Sequence, residues 1–387
     1  MTSTLLTGDA TTWRPRRTGV KWGVYADDVL PLWVAEMDAE PCLPVVEAVE
    51  AAMRRGDTGY PLGAEYVEAA ATYASDTWSW SVDTRRTSPV ADVMIGVAEV
   101  LRGVTDPGGP VVVSSPVYNA FFDFVDMTGR RVVDAPLTPA GRLDPEALDR
   151  AFGEARAGVE RGSHALHGPA YLLCNPQNPT GTLHTREELE TLAAIAEHHG
   201  VTVVADEIHA PIVHDGDFTP YLTVAGAQRG VSLLSASKAW NLAGLKAALV
   251  VTGEEAPPGA TLHEVHSHGA SHLGQIAGIA AWTQGREWLA KVTEEIDANR
   301  TLLTRLLAER LPQIRYAVPA ATYLAWLDCR ELALGDDPAV VLRERGRVAF
   351  SSGPSFGETG RGFVRVNLAT SPEILTEAVD RMARALS

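Results

Sequence analysis

The chain is 387 residues long, 45% hydrophobic and 21% charged, with a formal net charge of −16. That length predicts two domains or more at about 150 residues each, and the composition is that of a packed globular protein. The acidic balance excludes nucleic acid or an anionic membrane as the main partner, because phosphate backbones are held by clustered Lys and Arg.

The first 43 residues read as irregular, rich in Pro, Arg and Trp. Their opening, MTSTLLTGDATTWRPRR, has no basic start followed by an apolar core, so it is not a secretory signal. Trp13, Trp22 and Trp33 read as core or domain-contact residues, and Glu36 and Asp38 as carboxylates at a substrate entrance. PVVEAVEAAMRRG (44–56) has helical spacing and stops at a glycine, and AEYVEAAATYASDTW (64–78) predicts a second helix. From about residue 92, short apolar runs rich in β-branched residues alternate with helix-like segments. The runs are VMIGV (93–97), GPVVVSS (109–115), RRVVDAP (130–136), AYLLCN (170–175), GVTVVADE (200–207), VSLLSAS (231–237) and AALVVTG (247–253). VAEVLRGVTD (97–106) reads as the helix after the first run. TREELETLAAIAEHHG (185–200) carries Thr at its N-cap, Glu188 three residues on and a closing Gly. Continuous apolar runs of this kind are strands buried on both faces, the pattern of a layered α/β sheet.

From about residue 285 the texture changes. REWLAKVTEEIDANRTLLTRLLAERL predicts one long amphipathic helix. Strand-like IRYAVPA, TYLAWLDC, GRVAFSSG and GFVRVNLA follow, then a closing helix over 371–386. The expected organisation is a large domain (44–284) and a smaller α+β domain (285–387), with the N-terminal segment (1–43) packing against the latter. Cys42, Cys174 and Cys329 are widely spaced with no CxxC pair, which excludes a disulfide scaffold and fits a reducing cytoplasm. No apolar run reaches the roughly 18 residues needed to span a bilayer.

In open α/β sheets, ligands bind beyond the carboxyl ends of the strands. AYLLC ends in NPQNPTG, VTVVA in DEIH, VSLLSA in SK, and VVVSSP in VYN. No GxSxG elbow, Walker A glycine–lysine pattern or HExxH is present. The set fits an aldehyde cofactor carrying a phosphate, pyridoxal 5′-phosphate. Lys238 would bond the aldehyde as a neutral amine, its pKa lowered by a cationic or apolar setting. Asp206, ending a buried strand, would pair with the pyridine nitrogen, the cation that a buried carboxylate needs. Asn178 would donate to the ring oxygen and Tyr118 would lie over the ring face. The backbone N–H groups of Val97 and Ala98, read as a helix start, suit a phosphate dianion. Ser235 and Ser237 would add hydroxyls and Lys246 charge. Taken singly, NPQNPTG is a turn-rich loop, DE a strand-end loop and SASK a solvated lysine; the three in one order carry the reading. The histidines His263, His266, His268 and His272 match no standard zinc spacing, so no metal site is expected.

At these residues the chain resembles the class I/II aminotransferase superfamily, the fold-type I pyridoxal phosphate enzymes. NPQNPTG, ADEIH and SASKAWNLAGLK carry the likeness. PLWVAEMD (31–38), GDTGY (56–60), SSPVYNAFF (114–122), DEIHAPIV (206–213) and SKAWNLAGL (237–245) are similar to the MalY/PatB branch, the cystathionine β-lyases or C–S lyases. The resemblance implies an α/β large domain with a mixed, mostly parallel seven-stranded sheet between helices, plus the smaller α+β domain. It implies a homodimer with shared active sites, in which Tyr60 reaches the phosphate of the neighbouring subunit's cofactor. Arg365, in FVRVNLATS, would grip the substrate α-carboxylate as a bidentate fork, beside Asn178 and Tyr118; the sequence does not decide which side of its strand it faces. His209 stands where the wider superfamily commonly has a tyrosine on the ring oxygen, as the C–S lyase branch would have it. Lys246 replaces a usual arginine. The implied reaction cleaves cystathionine or a related cysteine S-conjugate to a thiol, pyruvate and ammonia. An aminotransferase acting on an amino acid and a 2-keto acid, and a regulatory protein on the same scaffold, are the alternatives.

Overall fold

The computed structural model describes residues 4–159 and 167–386. The N-terminal segment holds two short helices, α1 (Ala10–Trp13) and α2 (Val20–Gly23), and strand β1 (Leu30–Pro31). Helices α3 (Leu43–Arg54) and α4 (Ala64–Trp78) follow. Next come β2 (Thr87–Val90), α5 (Val93–Val104), β3 (Pro110–Val113), α6 (Ala120–Met127), β4 (Arg131–Asp134) and α7 (Pro145–Ala157). The run continues with β5 (Ala170–Cys174), α8 (Arg186–His199), β6 (Thr202–Asp206), β7 (Val231–Leu234) and β8 (Ala248–Thr252).

These strands form the mixed seven-stranded sheet predicted from the sequence, in the order β2-β8-β7-β6-β5-β3-β4. The five strands from β7 to β4 run parallel, while β8 is antiparallel to both its neighbours. The chain runs from β3 outward to β4, then crosses back to place β5 on the other side of β3. That reversal opens a crevice at the carboxyl ends of β3 and β5, the position where such sheets bind ligands. Alternate residues of the central strands serve opposite faces. Val112, Leu173 and Val203 pack with Leu148 and Phe152 of α7 and Leu189 of α8. Val111, Leu172, Val204 and Leu233 pack with Val97, Leu101 and Val104 of α5. Gly96 allows that close approach, since a Cβ there would lie 2.6 Å from a Leu233 methyl. Helix α8 carries the predicted capping box of Thr185 and Glu188, and ends at Gly200 in the left-handed region (φ 65°).

One predicted strand is a helix. VMIGV begins α5: Asp92 caps it by accepting the Ile95 N–H (2.9 Å), and Val93, Val97, Val100, Leu101 and Val104 fall on one buried face. A short apolar run is ambiguous between strand and buried helix, and the burial spacing here is helical. The seventh strand is instead β2, which pairs antiparallel with β8 at the sheet edge, where Pro89 is tolerated.

Helices α9 (His272–Gln284) and α10 (Arg286–Arg310) lead into β9 (Arg315–Tyr316), β10 (Leu324–Asp328), α11 (Pro338–Gly346), β11 (Val348–Ala349), β12 (Ser351–Ser352), β13 (Phe363–Asn367) and α12 (Pro372–Leu386). A four-stranded antiparallel sheet runs β12-β13-β10-β9. The N-terminal segment is bound to this part: β1 pairs in parallel with β11, and the Glu295 carboxylate accepts the Leu5 and Leu6 N–H groups. Asp38 is not at an entrance. It is buried, paired with Lys21 Nζ (2.8 Å) and accepting Trp22 Nε1 and Thr370 Oγ1 (2.8 Å each). Removing one partner of such a pair typically costs about 3–5 kcal/mol, which makes Asp38 part of the scaffold.

Candidate active site

Four strands deliver the polar groups. Beyond β5 the chain places Asn178, beyond β3 Tyr118, at the end of β6 Asp206 and His209, and beyond β7 Ser237 and Lys238. All six line one cavity of about 520 Å³, together with Lys246 and Arg365. This volume accommodates a cofactor-sized ligand. The acidic pair divides: Asp206 faces the cavity, whereas Glu207 turns away to accept Asn175 Nδ2 (3.1 Å) and the Tyr221 N–H (2.7 Å).

Lys238 Nζ donates to the Ala35 carbonyl at 2.9 Å. Burial, and then the charge of Arg365, push its pKa down to about 8. At pH 7 about a tenth of such an amine is neutral, against a few parts in ten thousand at its ordinary value. Burial pushes the Asp206 carboxyl up to about 6, partly offset by the Ile208 N–H (3.1 Å) and by Lys238. No cation among the described residues lies within ion-pair distance of Asp206, so its charged form wants a cationic partner. His209 packs edge-on to Tyr323 and is held neutral, its pKa pushed down to about 3 by burial and by the charges of Lys238 and Arg365. Its Nδ1 is buried without a hydrogen-bond partner.

Arg365 lies on β13 and points inward, which resolves the orientation the sequence left open. It is buried, donates to Asn178 Oδ1 (3.1 Å), the Trp33 carbonyl (3.0 Å) and Ser351 Oγ (3.1 Å), and stacks 4.9 Å from the Phe356 ring centre. Burial lowers its pKa to about 10, which leaves it charged at neutral pH. Because Asn178 accepts through Oδ1, its Nδ2 remains a donor. Burial and the Asp206 charge raise the Tyr118 phenol.

The expected placements of Val97, Ala98 and Ser235 change. Val97 and Ala98 are buried one turn inside α5, where their amides belong to the helix's own ladder. The free donors at the helix start are those of Val93 and Met94, both on the cavity wall. Ser235 is not on that wall: its hydroxyl donates to the Ala247 carbonyl (2.7 Å) and accepts the Ser237 N–H (3.1 Å), closing a local turn. Tyr60 is 88% exposed and does not line its own chain's cavity. Lys246 lies at the cavity edge, ion-paired with Asp92 (2.8 Å) beside the helix start. Trp33, read as a core or domain-contact residue, lines the cavity, as do Tyr25, Asp92 and Arg343, none of which the sequence singled out. No group of three or more His, Cys, Asp or Glu among the described residues could hold a metal ion.

These residues fit the aldehyde cofactor expected from the sequence. A lysine amine held near neutrality, a buried carboxylate lacking a cation and a free amide donor converge, with an anion-suited helix start at one side. Fold and site together define an α/β enzyme with a lysine–carboxylate centre at the carboxyl edge of a mostly parallel sheet. Residues 27–382 match the family described as aminotransferase class I and II, and the chain belongs to that family. It is 50% identical, over 96% of each chain, to a Mycobacterium tuberculosis protein named "Putative cystathionine beta-lyase". It is 33% identical to the cystathionine beta-lyase of Corynebacterium glutamicum, over 96% of this chain and 97% of that one. A Corynebacterium diphtheriae crystal structure described as a "putative plp-dependent beta-cystathionase" superposes with a TM-score of 0.90, at 32% identity and over 99% of each chain.

Proposed function

We propose that the protein is a pyridoxal 5′-phosphate-dependent carbon–sulfur β-lyase. With one water it converts cystathionine or a related cysteine S-conjugate to a thiol, pyruvate and ammonia. The observation that carries this is the convergence of Lys238, Asp206 and Arg365 on one cavity, in a chain half identical to a protein bearing the cystathionine β-lyase name.

When bound, the cofactor supplies an electrophilic aldehyde carbon and an electron-withdrawing ring. Asp206 would accept a hydrogen bond from the ring nitrogen, whose cationic form is the partner this buried carboxylate lacks. Asn178 Nδ2 would donate to the ring oxygen, and Tyr118 would cover one face. The N–H groups of Val93 and Met94, with Ser237 and Lys246, would hold the phosphate end. Arg365 would fork the substrate α-carboxylate and so orient the α-carbon. Lys238, as a neutral amine, would take the α-proton as general base. Its lowered pKa serves both of its tasks. Neutral His209 packs beside Tyr323 without adding a charge that would oppose Lys238.

The functional unit we infer is a homodimer, with the exposed Tyr60 and its neighbour Leu62, 94% exposed, entering the partner's site. The cytoplasm is the compartment we assign, supported by three free, buried cysteines. No helix among the described residues is long and apolar enough to cross a membrane. The test is incubation of cofactor-loaded protein with L-cystathionine and no keto acid. Equal amounts of pyruvate and thiol are expected. Turnover that begins only when a 2-keto acid is added would make the protein an aminotransferase.

A further inference from the structure

The reading above accounts for one of two cavity-lining arginines. The other is Arg343, on α11. Most arginines of this acidic chain are tied to a carboxylate, and Arg343 has none within ion-pair distance among the described residues. Its one described polar contact is with a π face: its guanidinium lies 5.8 Å from the Tyr25 ring centre, and Tyr25 also lines the cavity. A cation–π contact steadies a guanidinium while leaving its N–H donors free for an acceptor. A half-buried, unpaired fork of this kind is a carboxylate receptor.

A negative group stands on the same wall. Asp337 caps α11 by accepting the Ala339 N–H (3.2 Å) and is steadied by the Ser352 hydroxyl (2.8 Å). Its carboxylate keeps acceptor capacity toward the cavity, which it lines. Helix α11 and its cap therefore bring one cation and one anion to the cavity lining, besides the Arg365 that the lyase reading assigns to the α-carboxylate.

We propose that Arg343 and Asp337 form a distal subsite for a second amino-acid group, with Arg343 binding its carboxylate and Asp337 its ammonium. This rests on the lyase reading and narrows it: the sulfur substituent preferred by this site ends in a zwitterion, as in cystathionine, rather than in an alkyl chain.

The test compares three substrates on the cofactor-loaded protein: L-cystathionine, S-(3-carboxypropyl)-L-cysteine, which has the distal carboxylate alone, and S-butyl-L-cysteine, which has neither charge. Arg343→Met lowers the kcat/KM ratio of either carboxylate substrate to the butyl substrate by about 10- to 100-fold, the usual worth of a charge-assisted fork. Asp337→Asn keeps the helix cap and lowers the ratio of cystathionine to the carboxypropyl substrate, leaving that of carboxypropyl to butyl in place. Unchanged ratios in Arg343→Met, or equal losses on all three substrates, overturn the subsite. Each substrate is also titrated into the protein by absorbance to obtain its dissociation constant. If wild type binds cystathionine in an Arg343-dependent way yet releases no thiol, the subsite stands and the lyase reading falls.

Discussion

Arg365→Lys keeps the charge and removes the fork. In the protein the guanidinium serves three acceptors at once: Asn178 Oδ1, the Trp33 carbonyl and Ser351 Oγ. It must still present N–H groups to a carboxylate. A lysine ammonium at the end of an unbranched stem cannot span these acceptors and also grip a carboxylate through two parallel bonds. Losing one charge-assisted hydrogen bond from the substrate complex costs about 1.5–3 kcal/mol, so kcat/KM falls roughly 10- to 150-fold at 1.4 kcal/mol per factor of ten. An acceptor left unpaired inside the protein adds a stability loss of about 1–3 kcal/mol. The assay is pyruvate release from a cysteine S-conjugate and from its α-carboxamide. Wild type prefers the acid strongly, and Arg365→Lys flattens that preference by the same 10- to 150-fold, through losses confined to the acid. A variant that loses activity equally on acid and amide, with the preference intact, would refute Arg365 as the carboxylate clamp.

Further outcomes follow from the charges. Asp206 titrates near 6 in the folded protein against 3.8 ordinarily, so the folded state holds the proton more tightly; the stability this contributes is complete below pH 3.8 and lost as pH rises through 6. Asp206→Asn removes that loss: without cofactor the variant is more stable than wild type by up to about 3 kcal/mol at pH 7 and about half that at pH 5, read by urea unfolding, while its cofactor binding weakens. A pH-independent difference would contradict the assignment. Lys238 must be neutral to bond the aldehyde, so the rate of cofactor uptake rises with pH and levels off above about 8; a rate still climbing at pH 10 would show an ordinary lysine. Mixing Lys238→Ala protein with Tyr60→Phe protein restores activity that neither has alone, because one site of the mixed dimer is intact. No recovery after subunit exchange, verified by mass, would remove Tyr60 from the partner's site.

Much of the site was legible because local chemistry marks strand ends. Asp206, Lys238 and Asn178 each end or follow a continuous apolar run, and the register of a parallel sheet brings such ends together without further information. Residues delivered from far away left no such mark. The Ala35 carbonyl that holds Lys238 lies 203 positions from it, and the Trp33 carbonyl that holds Arg365 lies 332 positions away. Their roles depend on β1 pairing with β11, which no local pattern predicts. Ser235 misled because a hydroxyl near a reactive lysine can as easily close its own turn. VMIGV misled because five apolar residues satisfy both periods. Asp92 ahead of it was the available signal: an N-cap residue three positions before the Ile95 amide it accepts. Arg343 gave no signal, since an arginine on a helix reads as solvated until the element opposite it is known.

The central claim is that Lys238 and Asp206 hold opposite ends of one pyridoxal ring, and a crystal structure of the cofactor-loaded protein tests it most directly. The account predicts electron density continuous from Lys238 Nζ into the cofactor, with the ring nitrogen about 2.7–2.9 Å from an Asp206 oxygen and the phosphate at the start of α5. Cofactor attached to another lysine, or a ring whose nitrogen meets no carboxylate, would contradict it.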